Sequence, residues 1–252
     1  MAPSYTNFRD LGGLVCTDGR KIKKGMIFRS PALQTKLKSD IDFLENLKPD
    51  CIIDLRATQE VKKRPDPDIK NCKYIFAPVF DGKKYKYIVV TNIGKIRCIT
   101  LRGKNVGALK KNKLDSYIEM PFSKAYNTVF KCMDRGERFI FHCTEGKDRT
   151  GICAFLIEYA LGRSEEDIRK EYLLSNQFRP NKDRSWLKYL GLPKQLIEDI
   201  AFAESTHDEL LDLSENAILE RYSDFDEYLE KEFGITAERK AKWQNIYLKS
   251  SD

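Results

Sequence analysis

The chain has 252 residues, 41% of them hydrophobic, which is enough apolar material to bury a core and excludes a disordered or fibrous protein. Its net charge of +7 admits anionic partners without requiring them. The opening MAPSYTNFRD has no apolar run and no uncharged stretch approaches about 18 residues, so neither a secretory signal nor a membrane span is expected; a cytoplasmic location is expected, with export lacking a cleaved signal left open.

In chain order, Thr17-Asp18-Gly19 suggests an N-terminal hairpin that forms an antiparallel edge. Asp40 can cap a short helix with Ile41, Leu44 and Leu47 on one face, ended by Pro49; CIIDL at 51–55 then reads as a buried strand. Thr58 can cap a second short helix through Val61, and YIFAPV at 74–79 is the next strand. Ile118, Phe122, Tyr126, Val129, Phe130 and Met133 keep helical spacing over 115–134, with Gly136 at the end. RFIFH at 138–142 reads as a strand. Ile152, Phe155, Leu156 and Tyr159 mark an amphipathic helix stopped by Gly162, and Ser164 with Asp167 resembles a capping box that opens another. From about Glu165 the chain reads as mostly helical. This alternation implies an α/β fold with a sheet that is at least partly parallel.

Charge is unevenly spread. Between Gly82 and Lys113 lie ten basic residues and no acidic one, whereas 204–232 holds eleven acidic residues against Arg221 and Lys231. The basic stretch reads as an insertion or lid that could gather anionic substrates or touch acidic membrane lipids, and the acidic one as the solvated side of amphipathic helices. No repeat or Gly/Ser-rich linker marks a boundary, so residues 1–252 are expected to form a single domain. The seven cysteines are scattered and read as reduced thiols; without a C-x-x-C pair, and with only His142 and His207 as imidazoles, no metal site is expected.

The segment that carries chemistry is His142-Cys143-Thr144-Glu145-Gly146-Lys147-Asp148-Arg149-Thr150-Gly151, between the strand at 138–142 and a helix starting near Arg149. Ligands of open α/β sheets bind at the carboxyl ends of strands, where the first N–H groups of the following helix attract anions. A loop of this length can wrap its amides round one tetrahedral oxyanion, with Gly146 permitting the turn and Arg149 offering a planar fork to two phosphate oxygens. The same field would lower the pKa of Cys143 and make its thiolate a nucleophile toward phosphorus. Thr150 could stabilise the thiolate, and His142 could orient the loop.

HCTEGKDRTG resembles the signature loop of the cysteine-dependent protein tyrosine phosphatase superfamily: His-Cys, five residues, Arg, then Ser or Thr. Asn7-Phe8-Arg9-Asp10-Leu11-Gly12-Gly13, followed by Phe28-Arg29-Ser30 and Asp54-Leu55-Arg56 with Glu60, is similar to its atypical bacterial tyrosine and phosphoinositide phosphatase branch. The resemblance implies a tyrosine-phosphatase-like fold, a central mostly parallel sheet flanked by helices, with no cofactor. It implies a phosphocysteine on Cys143, and phosphate binding by Thr144, Glu145, Gly146, Lys147, Asp148 and Arg149. Lys147 would suit multiply phosphorylated headgroups. Two carboxyls compete as general acid, Asp81 in APVFDG and Asp148 within the loop, with Asp148 slightly preferred. Asn7 to Asp10 are expected to brace the loop, and Asp54, Arg56 and Glu60 to form a structural polar cluster or, as the lesser alternative, to line the pocket.

The expected activity is therefore hydrolysis of phosphotyrosine in proteins, with phosphoinositides or other anionic phosphomonoesters as a wider range. The alternatives are a lipid phosphatase that prefers phosphoinositides and a non-catalytic module that binds phosphorylated ligands. A sulfurtransferase or arsenate reductase would not be expected to combine the preceding His with Gly-x-Asp-Arg-Thr-Gly. Nucleic acid is not expected as a partner, since only Tyr85 and Tyr87 interleave the basic stretch with aromatic rings.

Overall fold

The computed structural model describes residues 6–35, 37–80, 108–178, 189 and 192–250. Five short strands form the central sheet: β1 (Arg9–Asp10), β3 (Ile27–Ser30), β4 (Cys51–Asp54), β5 (Lys73–Phe76) and β6 (Phe139–His142). Their order is β1-β3-β6-β4-β5. Only β1 runs antiparallel, against β3; the other neighbours are parallel. Central β6 is buried at every position, as the apolar run FIFH requires of a strand covered on both faces. Its register places His142 beside Ser30 on one side and Asp54 on the other, so three strands end level and the chain after each emerges at one edge.

The turn at Asp18-Gly19 forms, with Gly19 at φ 84°, and Val15 bridges Lys21. It does not supply the edge of the central sheet, which is β1. Instead β2 (Lys21–Ile22) pairs with β7 (Leu248–Lys249) in a separate two-stranded sheet.

Helix α1 spans Lys38–Leu47 and α2 Thr58–Lys63. Asp40 is not the cap of α1; it lies inside the first turn, where its carboxylate accepts the Thr35 hydroxyl. At α2 the cap position is Ala57, whose N–H is taken by the Glu60 carboxylate, so Thr58 is already helical. The continuous helix expected over 115–134 is interrupted. Helix α3 (Ala108–Glu119) passes into a 3₁₀ turn at Met120–Phe122, and α4 begins afresh at Tyr126 and runs to Asp134. Pro121 explains the break, because it lacks an N–H and its ring crowds the preceding turn.

Helix α5 (Asp148–Ala160) lies across the sheet, and its residues from Arg149 to Glu158 are all buried. It is therefore a core helix and not amphipathic, a difference that the apolar residues between the expected stripe positions produce. Helix α6 (Glu165–Leu173) starts as expected, with Ser164 Oγ accepting the Asp167 N–H. Among the described residues four more helices follow: α7 (Lys194–Glu204), α8 (Asp208–Leu219), α9 (Phe225–Phe233) and α10 (Ala237–Tyr247). Leu210, Leu211, Ile218 and Leu229 turn inward from the acidic segment and join the main core. Trp243 stacks on Phe130 of α4, and its indole N–H donates to Asp134. No described helix is long and apolar enough to cross a membrane.

Candidate functional site

The loop from Cys143 to Lys147 joins the buried end of β6 to the first turn of α5, so it sits over the free N–H groups of that helix. Each carbonyl from His142 to Gly146 has a contact outside the loop's concave side. The Leu55 N–H bonds the His142 carbonyl at 2.8 Å, and the His142 ring Nδ1 lies 3.3 Å from the Cys143 carbonyl. The Ala32 N–H bonds the Thr144 carbonyl at 3.2 Å. Asn7 Nδ2 donates to the carbonyls of Glu145 at 3.0 Å and Gly146 at 3.1 Å, and Arg29 Nη2 also donates to Gly146 at 2.9 Å. In a planar trans peptide the next N–H points the opposite way, so the N–H groups of Glu145, Gly146 and Lys147 face the bowl. Gly146 is required twice: its φ is 65°, and an added Cβ would lie 2.5 Å from the Ser30 carbonyl group.

Cys143 lies at the base of this bowl, 2% exposed. Burial pushes its thiol pKa up, but the Arg149 charge and the Thr150 hydroxyl and N–H outweigh that and bring it below the ordinary value. Thr150 Oγ1 is buried with no other hydrogen-bond partner, which leaves it to the sulfur. Arg149 is held from α2 by a forked contact to Glu60, 2.6 Å through Nη1 and 3.0 Å through Nη2. Glu60 also accepts the Thr144 hydroxyl. Burial would raise the Glu60 pKa, yet its bonds to Arg149, Thr144 and the Ala57 N–H lower it to about 2. Glu60, expected in a structural cluster or, as the lesser alternative, at the pocket, thus orients the guanidinium of the signature loop.

On the other side of α2, Arg56 bonds the carboxylates of both Asp54 and Asp66, and the Tyr74 hydroxyl adds a bond to Asp54 at 2.7 Å. His142 is fully buried against this pair, with Nε2 3.0 Å from Asp66. Burial lowers its pKa, but the charges of Asp66 and Asp54 prevail and raise it. Asp54, Asp66 and His142 lie close enough to hold a cation, but Arg56 already supplies positive charge to both carboxylates.

Lys147 and Asp148 sit differently from what the sequence suggests. Lys147 is buried, with Nζ 3.0 Å from the Ala203 carbonyl at the end of α7 and within 3.6 Å of Glu145 and Asp148 carboxylates. Lys113 reaches the same place from α3, donating to the carbonyls of Ala203 at 3.0 Å and Ser205 at 2.6 Å, and lying 3.4 Å from Asp148. Burial drops the Lys113 pKa to about 8, against the pull of Asp148. The Asp148 carboxyl also accepts the Tyr117 hydroxyl at 2.7 Å. Burial would raise its pKa, but Lys113, Lys147 and that hydroxyl hold it far below the usual carboxylate range. Asp81 and most of the basic stretch, residues 82–107, lie outside the described residues.

The structure therefore brings Cys143, Thr144, Glu145, Gly146, Lys147, Asp148, Arg149 and Thr150 into one bowl, with His142 beneath it. It adds Lys113, Asp66, Tyr117 and, through Arg9 and Arg29, Glu171, which sequence reasoning did not assign to the bowl or its supports. Glu60 had a signal, since it stood with Asp54-Leu55-Arg56 in a motif already noticed.

The family model described as "Tyrosine phosphatase family" matches residues 2–249. A provisionally named tyrosine-protein phosphatase of Cupriavidus necator is 29% identical over 233 residues, covering 90% of this chain and 81% of its own. The triple specificity protein phosphatase PtpB of Mycobacterium tuberculosis is 26% identical over 195 residues, covering 71% of this chain and 69% of its own. Among solved structures, the catalytic core of the PP-IP phosphatase SIW14 from S. cerevisiae, in complex with citrate, aligns with TM-score 0.32 at 18% identity, over 86% of this chain and 94% of that one. TpbA of P. aeruginosa, in complex with pTyr, aligns with TM-score 0.32 at 11% identity, over 73% and 89%.

Proposed function

Because this chain belongs to the tyrosine phosphatase family, we propose that it hydrolyses phosphotyrosine in proteins through a cysteinyl-phosphate on Cys143. The observation that carries this reading is the buried sulfur of Cys143, its pKa lowered by Arg149, beneath three inward N–H groups. The phosphoryl oxygens would take the Glu145, Gly146 and Lys147 N–H groups and the Arg149 fork, donors fixed before the charge develops. The thiolate attacks phosphorus, the bond to the tyrosine oxygen breaks, and that oxygen leaves with a proton. Water then attacks phosphorus and gives a proton to the carboxylate that protonated the leaving oxygen, the S–P bond breaks, inorganic phosphate departs and the thiolate returns, steadied by the Thr150 hydroxyl.

The proton donor is Asp148 on this reading, under one condition. Lys113 and Lys147 hold its carboxyl ionised, so it takes up a proton once a phosphate dianion offsets those two cations. Asp81 is the rival. Comparing Asp148→Asn with Asp81→Asn on an aryl and an alkyl phosphate assigns the acid, because the alkyl leaving group depends on it more. The variant whose alkyl turnover falls further has lost the donor.

The buried cations Lys113 and Lys147 also favour a second reading, in which phosphoinositides are substrates: leaving the α7 carbonyls, they could meet a second phosphate. Turnover of a phosphotyrosine peptide and of phosphoinositide vesicles by wild type and Cys143→Ser tests both. Wild type should turn over the peptide, while the serine variant should bind it without turnover. Retained turnover in that variant would overturn the mechanism, and wild-type turnover of vesicles alone would make the lipid the substrate.

A further inference from the structure

Glu171 lies on α6 and is in none of the motifs that mark the loop, yet its carboxylate joins the two arms that hold the loop from behind. One oxygen accepts Arg9 Nε at 2.8 Å and the other accepts Arg29 Nη1. Arg29 then donates through Nη2 to the Gly146 carbonyl, while Arg9 donates through Nη1 to the Asn7 side-chain oxygen, leaving the Asn7 amide to clasp the Glu145 and Gly146 carbonyls. Asn7, Arg29 and Glu171 are all buried. The buried Arg29 guanidinium and the partly buried Arg9 guanidinium repel each other, and desolvation with the Arg29 charge brings the Arg9 pKa down to about 10 despite Glu171. A carboxylate between them is therefore what keeps both arms in place. Among the described residues, Glu158 on α5, itself paired with Arg163, also acts on it electrostatically.

We propose that Glu171 is a positioning residue for the phosphatase reaction: by holding Arg9 and Arg29 on the Glu145 and Gly146 carbonyls, it turns the Gly146 and Lys147 N–H groups toward the phosphate and toward the Cys143 sulfur. The proposal rests on Cys143 being the nucleophile, but its consequence for the sulfur can be read without turnover. Without the carboxylate the two peptides are free to rotate, the bowl loses N–H donors, and the thiolate is less stabilised. Arg149 on α5 and Glu60, which approaches it from α2, would be untouched.

The experiment is alkylation of Cys143 by iodoacetamide, followed by peptide mass spectrometry from about pH 4 to 9, the range over which perturbed thiols titrate. Wild type, Glu171→Gln, Asn7→Ala and the double variant are compared, with kcat and KM measured on an aryl phosphate. The expected result for Glu171→Gln is a thiol midpoint raised by about one unit and a kcat lowered roughly tenfold to a hundredfold, with a smaller change in KM, as for loss of aligned oxyanion donors. Asn7→Ala should move the midpoint the same way, and the double variant by less than the sum, because both act through one route. A folded Glu171→Gln protein with the wild-type midpoint overturns the proposal, whatever its activity. Should that variant not fold, Asn7→Ala decides: an unchanged midpoint overturns the proposal and a raised one supports it. Retained turnover in Cys143→Ser would instead sink the phosphatase mechanism and leave the alkylation result standing.

Discussion

Two buried ionic networks flank the loop, and they are built at different distances along the chain. In the first, Arg56 bonds Asp54 two residues away and Asp66 ten residues away, and only His142 comes from afar. In the second, Arg29 meets Glu171 across 142 residues and Arg9 meets it across 162. The first holds the strand end before the nucleophile; the second holds carbonyls in the middle of the loop. The difference suggests a division of labour, in which the short-range network secures the sheet edge and the long-range one aims the peptides.

The largest effect that would sharpen this contrast is on stability. Arg56→Leu leaves two buried carboxylates without their guanidinium and should cost about 3–5 kcal/mol in urea unfolding at neutral pH. A loss under about 1 kcal/mol, the scale of an exposed pair, would end the idea that this network secures the edge.

Glu60→Gln should act on activity more than on folding. It keeps the shape beside Arg149 but weakens the fork, and a misplaced guanidinium should lower kcat/KM by roughly tenfold to a hundredfold. The same variant reports on acid stability. The folded pKa of Glu60 is about 2 and that of Asp54 about 2, both below their ordinary values. The native state therefore binds fewer protons than the unfolded chain, and this stabilisation is complete above the unfolded carboxylate range and lost as pH falls through it toward about 2. Urea midpoints measured down this range should fall less steeply in Glu60→Gln than in wild type; equal slopes would remove Glu60 from the acid response.

The smallest effect expected is that of Tyr74→Phe, which removes one bond to Asp54 from a half-exposed ring and should cost about 0.5–1.5 kcal/mol. A thiol midpoint that moved in this variant would show that the two networks are not separate.

What could be read in advance follows from the same sequence distances. The loop 142–151 was legible because nucleophile, turn glycine, arginine and helix start stand in ten consecutive residues between a strand and a helix. The partly parallel sheet was legible because the apolar runs FIFH and CIID alternate with helical segments. Glu171 could not be found, since a Glu on an amphipathic helix looks solvated until β1 and β3 bring Arg9 and Arg29 against it. Spacing also misled where chain chemistry overrode it: Pro121 divides a helix whose apolar period continues past it, and burial of α5 all round hides its stripe. Lys147 looked like a free cation because the carbonyl that receives it lies 56 residues later.

That last contact has a practical consequence. The acceptors for Lys147 and Lys113 at Ala203, and for Lys113 at Ser205, belong to the main chain, so a scan of side chains through this stretch would leave them intact and report the region as silent. Replacing the peptide after Ala203 with an ester, whose carbonyl is a weaker acceptor, would expose what such a scan passes over.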